Sequence, residues 1–189
     1  MNNNLLKNTE NSYGLIAIIF HWLMAITIFF LFGLGLYMVE LTYYDAWYKG
    51  SLDLHKNVGM TLFVAFLLRI FWRLVSVTPI NAQETASKIE VKAAHYAHLA
   101  LYGLMATLMI SGYLISTADG RAIDVFGLLS IPALSVSITN QEDIAGNIHE
   151  ILAWTLILLS AGHALAALKH HFINKNNTLV RMLKVLATK

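Results

Sequence analysis

The side chains with the most chemical potential in this chain are its eight histidines. Two of them, His149 and His163, interrupt the stretch 139–172, TNQEDIAGNIHEILAWTLILLSAGHALAALKHHF, which after Asn147 is apolar enough to cross a bilayer. Fourteen residues of α-helix rotate by about 1400°, roughly 40° short of four turns, and rise about 21 Å. Both imidazoles therefore project from nearly one face, one near each side of a membrane. A polar ring held in hydrocarbon is costly and is read by default as functional. The chain has no cysteine, so disulfides, Fe–S ligation and covalent haem attachment are excluded. Histidine, methionine and carboxylate remain as metal ligands.

The elements that must position these rings are membrane spans. The 189 residues are 57% hydrophobic and 13% charged, about half the charge of a soluble domain. A net charge of +2, with no basic run interleaved with aromatics, argues against nucleic acid. Four apolar segments are expected to span, at about 14–38, 55–77, 94–117 and 147–170. The first lacks a basic leader and a small-residue cleavage site and reads as retained, not as a signal peptide. Thr139 with Glu142, and Ser87 with Glu90, have the spacing of capping boxes before the fourth and third spans. Residues 118–138, with Gly120, Gly127 and Pro132, are apolar but too broken to span and read as a non-helical or short-helical cap on the outer face. Ten of the thirteen Lys and Arg fall in the N-terminal tail, the 69–93 region and the tail after Leu168. That bias puts both termini in the cytoplasm. The expected architecture is an all-α, four-helix transmembrane bundle, N-in and C-in, forming a single domain over 1–189 without internal repeats.

Orientation sorts the histidines by depth. His55 and His149 fall on the outer side; His21 and His163 lie well inside the inner half. Each pair offers one imidazole from each of two helices, as needed to ligate one iron from both faces of a porphyrin. A zinc or copper site would want three or four converging ligands, which two-ligand levels do not supply. Small residues flank each ring: Ala17 and Ala25 about His21, Gly59 after His55, Ala145, Gly146 and Ala153 about His149, Ser160, Ala166 and Ala167 about His163. They would admit a flat macrocycle; the plainer alternative is that they mediate close helix packing. Arg69, fourteen residues after His55, would neutralise a haem propionate at the inner level or else snorkel to headgroups, and Arg73 fits the second role better. His95, His98, His170 and His171 crowd the inner interface. They would either bond headgroups and water or handle protons for a quinone, with His98 and His170 the candidates for that site.

The chain as a whole resembles the bacterial cytochrome b561 family, four-helix di-haem cytochromes of the inner membrane. The matching features run in order from His21-Trp22, Leu54-His55, RIFWRL at 69–74 and His95-x-x-His98 to Phe126-Gly127-Leu128 with Ile131-Pro132. They continue through His149-Glu150, Gly162-His163-Ala164, His170-His171, Asn177-Thr178-Leu179 and Arg181-Met182. The resemblance implies two non-covalent, bis-histidine haem b groups on His21, His55, His149 and His163, with ubiquinone as electron partner. The expected function is electron transfer between an outer-side donor and membrane quinone in a multi-pass protein of the bacterial inner membrane. The alternatives are a superoxide:ubiquinone oxidoreductase, a cytochrome b anchor subunit of a dehydrogenase or hydrogenase, and a non-redox bundle with structural histidines. The connectors at 39–54 and 118–138 match least well, and they are the surfaces an outer-side donor would touch.

Overall fold

A computed structural model describes residues 5–79, 88–134 and 139–185. Four long helices dominate it: α1 (Leu15–Val39), α2 (Tyr48–Val75), α3 (Lys88–Ser116) and α4 (Gln141–Phe172), followed by a single turn, α5 (Val180–Leu183). All four long helices are long and apolar enough to cross a membrane. Only helices and closed barrels satisfy every backbone polar group without water, which is why apolar segments of this length fold as unbroken helices. The chain's two prolines, Pro79 and Pro132, lie outside them.

The helices begin earlier than hydropathy indicates. α2 starts at Tyr48, so His55 stands two turns inside it and not at its start. α3 starts at Lys88, placing His95 and His98 beyond its first turn, and α4 starts at Gln141. Apolarity marks where hydrocarbon begins, whereas the hydrogen-bond ladder continues through the interface. The Ser51 hydroxyl bonds the Tyr48 carbonyl at 2.9 Å and Lys56 pairs with Asp53 at 3.0 Å, both in the first turns of α2. The expected cap of α4 is displaced as well. Asn140, not Thr139, precedes the helix, in the left-handed conformation (φ 56°), and its carbonyl accepts the Ile144 N–H at 3.0 Å. Ser87 of the other expected capping box lies outside the described residues.

The segment after α3 is non-helical, as expected, but ordered as a hairpin: β1 (Ile123–Val125) pairs antiparallel with β2 (Leu129–Ile131). Phe126 and Gly127 turn it with φ of 53° and 69°. Two successive left-handed residues match the right-handed twist of the strands. The strain at Phe126 is held by its N–H, which donates to Asn57 Oδ1 of α2 at 2.9 Å.

The chain divides into two compact units, and each long helix contributes a segment to both. One comprises Met1–Ile26, Ala65–Leu99 and Leu159–Lys189; the other comprises Thr27–Val64 and Ala100–Leu158. The first is tied by backbone and tail contacts. Asn8 donates to the Val77 carbonyl and accepts from the Gly14 N–H, and Lys169 pairs with Glu90. A side chain on Gly14 would stand 2.4 Å from the Leu6 carbonyl oxygen, so only glycine permits that crossing. The second unit buries Leu31, Leu34, Leu62, Met105 and Leu156. Many large apolar side chains remain exposed, among them Ile26, Phe71, Leu99 and Leu158. Such a surface suits lipid, not water.

Candidate functional site

Each unit contains one histidine pair, and the partners come from different helices. In the second unit His55 of α2 faces His149 of α4, with ring centroids 6.3 Å apart and planes at 67°. In the first, His21 of α1 faces His163 of α4 at 6.4 Å and 65°. The near-identity of these spacings is informative. Two metal–nitrogen bonds of about 2 Å each, plus the distance from each nitrogen to its ring centre, give roughly 6.3 Å for imidazoles opposed across one ion. Among the described residues, no group of three or more His, Asp or Glu is disposed to hold a metal ion. Each pair is thus spaced as two imidazoles facing a single ion would be.

The surroundings of the second-unit pair are specific. The Nδ1 of His149 lies 3.1 Å from the Leu108 carbonyl and 3.0 Å from the Ser111 hydroxyl, both on α3. A carbonyl only accepts, so the ring proton sits on Nδ1 and the lone pair on Nε2. Gly112 lets α3 approach this ring: a Cβ there would be 3.1 Å from His149 Cε1. Gly35 of α1 similarly abuts His55, at 3.6 Å from its Cε1. The Nδ1 of His55 is buried without a hydrogen-bond partner.

The first-unit pair is more polar. The Arg69 guanidinium lies 3.3 Å from His21 Nδ1, so the charge expected near this level turns to the ring itself. Trp22 packs edge-on against His21 at 5.4 Å. His98 joins the pair, 5.0 Å from His163, with its Nδ1 proton donated to the Ala94 carbonyl at 2.7 Å. The His170 ring meets the Asn176 side-chain amide, Nδ1 to Nδ2, at 3.5 Å. His95 and His171 contact the neighbouring rings of Tyr96 and Phe172.

Of the small residues flanking the rings, two are glycines, Gly59 and Gly146. Were they there for close helix packing, a side chain at Gly59 or Gly146 would meet another helix. A Cβ at either meets no heavy atom within 4 Å. Packing accounts for Gly112 and Gly35, which touch the rings; it does not account for Gly59 or Gly146. The residues sequence reasoning missed are Leu108, Ser111, Gly112 and Gly35. The one signal on α3 is a Ser-Gly pair, Ser111-Gly112, inside an apolar run.

Residues 12–184 match the family described as prokaryotic cytochrome b561. The chain belongs to that family. It is 47% identical over 176 residues to cytochrome b561 homolog 2 of Escherichia coli (strain K12), covering 93% of each chain. It is 30% identical over 179 residues to a probable superoxide oxidase CybB of Yersinia pestis, covering 92% of this chain and 97% of the other. With cytochrome b561 homolog 1 of Escherichia coli (strain K12) it shares 29% over 131 residues, 69% of this chain and 73% of the other. A prokaryotic cytochrome b561 is a multi-pass bacterial membrane protein that uses haem b and transfers electrons across the membrane, and this chain's four spans and redox-compatible histidine pairs accord with that.

Proposed function

We propose that this cytochrome holds two haem b groups, one between His55 and His149 and one between His21 and His163, and carries electrons between an outer-side donor and membrane quinone. The observation that carries the reading is the duplication: two imidazole pairs from separate helices, each spaced for one metal ion. When bound, haem b supplies a one-electron couple whose potential responds to burial and nearby charge. A haem held between His55 and His149, or between His21 and His163, would serve electron carriage. The half-buried Arg69 guanidinium beside His21 argues against snorkelling to headgroups and leaves propionate neutralisation as its role in this reading. The Lys and Arg distribution supports an inner-membrane orientation with both termini cytoplasmic, which puts His21 and His163 on the inner side. In that frame His98, beside His163, and His170, at the end of α4, are the groups offered for protons when ubiquinone is reduced or its quinol oxidised.

The test is a dithionite-reduced minus oxidised spectrum of purified protein with a haem-to-protein ratio. Two haems per chain, falling to one in His21→Ala and one in His55→Ala, is the expected result; protein without a Soret band would overturn it. A second reading, superoxide oxidation at the outer side with ubiquinone as acceptor, draws support from the named activity of the Yersinia pestis relative. Electrostatics favour it less: Lys56 pairs with Asp53, and Arg121 with Asp119. With Lys49 they are the three cations left for the outer side, and pairing blunts the steering of an anion. Superoxide loss no faster than spontaneous dismutation, on adding oxidised protein and quinone, would eliminate this reading.

A further inference from the structure

The turn Leu108–Gly112 of α3 is built around one side of His149, and its parts are mutually dependent. Ser111 is 4% exposed. Its hydroxyl donates to the Leu108 carbonyl at 2.8 Å, which leaves the oxygen lone pairs directed at the Nδ1 proton of His149, 3.0 Å away. The same proton also faces the Leu108 carbonyl at 3.1 Å. Gly112 closes the saddle by admitting the ring edge. Two acceptors thus share one N–H, and turning the ring away from α3 gives up both bonds at once. His55, the other member of the pair, has no such support at its Nδ1.

We propose that Ser111 is a positioning residue that locks His149 with its proton on Nδ1 and its Nε2 lone pair presented to iron, and so sets the retention and potential of one of the two haems. This rests on the di-haem reading above. An acceptor at the distal nitrogen raises the basicity of a ligating imidazole, and removing such an outer partner costs 10–100-fold in metal affinity. A more basic ligand favours ferric over ferrous iron, so loss of the hydroxyl raises the potential.

The experiment compares haem-loaded wild type, Ser111→Ala and Ser111→Thr. Alanine is smaller than serine and favours helix, so the alanine variant is expected to fold. In Ser111→Ala one haem transfers to an excess of haem-scavenging apoprotein on the order of 10–100-fold faster. In spectroelectrochemical titration the same haem moves to higher potential, by about 59 mV for each tenfold by which ferric binding weakens more than ferrous. The other haem keeps its rate and potential, and Ser111→Thr, which retains the hydroxyl, returns both values toward wild type. Unchanged values in Ser111→Ala, equal shifts at both haems, or a threonine variant that matches alanine would each overturn the proposal. Wild-type protein that retains no haem would instead overturn the di-haem reading, an outcome visible before any variant is made.

Discussion

The sharpest consequence of the geometry concerns two glycines that look alike in sequence. In Gly112→Ala the new Cβ would stand 3.1 Å from His149 Cε1 and 3.4 Å from its Nδ1, whereas in Gly35→Ala it would stand 3.6 Å from His55 Cε1. Carbon pairs are most favourable at about 3.5–4.0 Å, so the His149 ring must retreat by roughly 0.4 Å and the His55 ring need not move. Retreat is opposed on the same side by the bonds to Leu108 and Ser111. Without a bound group the imidazole can rotate to relieve the contact; once it opposes His55 across an ion it cannot. The overpacking cost of about 1–3 kcal/mol therefore falls on haem binding and weakens it about 5- to 150-fold. The gain of up to about 1 kcal/mol in helix propensity is common to both states and drops out of the affinity. The assay is haem titration into protein prepared without haem, followed by Soret absorbance. Gly112→Ala should show one weakened site and Gly35→Ala two normal ones. Equal affinities in the two variants, or a larger loss in Gly35→Ala, would refute the placement of His149 against α3.

Other perturbations separate the remaining claims. A Gly59→Leu variant should insert and fold, because no heavy atom lies within 4 Å of a Cβ there, yet lose one haem; retention of both would show that the space beside His55 does not serve a macrocycle. Trp22→Phe removes the indole N–H bond to the Met182 carbonyl, 2.6 Å long, and should cost about 0.5–1.5 kcal/mol, seen as a Tm lower by a few degrees; an unchanged Tm would show that α5 is not anchored there. The Asp45 carboxyl is held below its ordinary range by the Thr42 N–H and hydroxyl. A lowered folded-state pKa stabilises the 39–47 connector above the unfolded value, and the benefit is lost as pH falls through the lowered one. Protection of the Thr42 amide, corrected for intrinsic exchange, should therefore hold at neutral pH and fall below about pH 4, with no such step in Asp45→Asn; protection that is flat through the acid range would contradict it.

Much of the molecule was legible because lipid imposes severe rules. Hydropathy located four spans, and fourteen-residue spacing put His149 and His163 on one helix face. Depth then matched each to a partner that the structure brings within 6.4 Å. Helix starts were legible only where hydrocarbon and helix begin together, as at Leu15, and not at Tyr48, Lys88 or Gln141, where the ladder runs on into water. The hairpin at 123–131 was invisible because its decisive feature is two left-handed residues, one of them Phe126, held by an asparagine 69 positions away.

By itself the sequence determined the number of crossings, the family and which imidazoles can meet, since composition and helical periodicity are local properties. The tertiary structure alone decided what stands behind each ring. Ser111 and the Leu108 carbonyl grip His149, Arg69 and His98 gather at the His21/His163 pair, and His55 Nδ1 is left unpartnered. Those contacts depend on the rotation and closeness of packed helices, where a few tenths of an ångström separate a hydrogen bond from a clash. No pattern along one strand of letters carries that information.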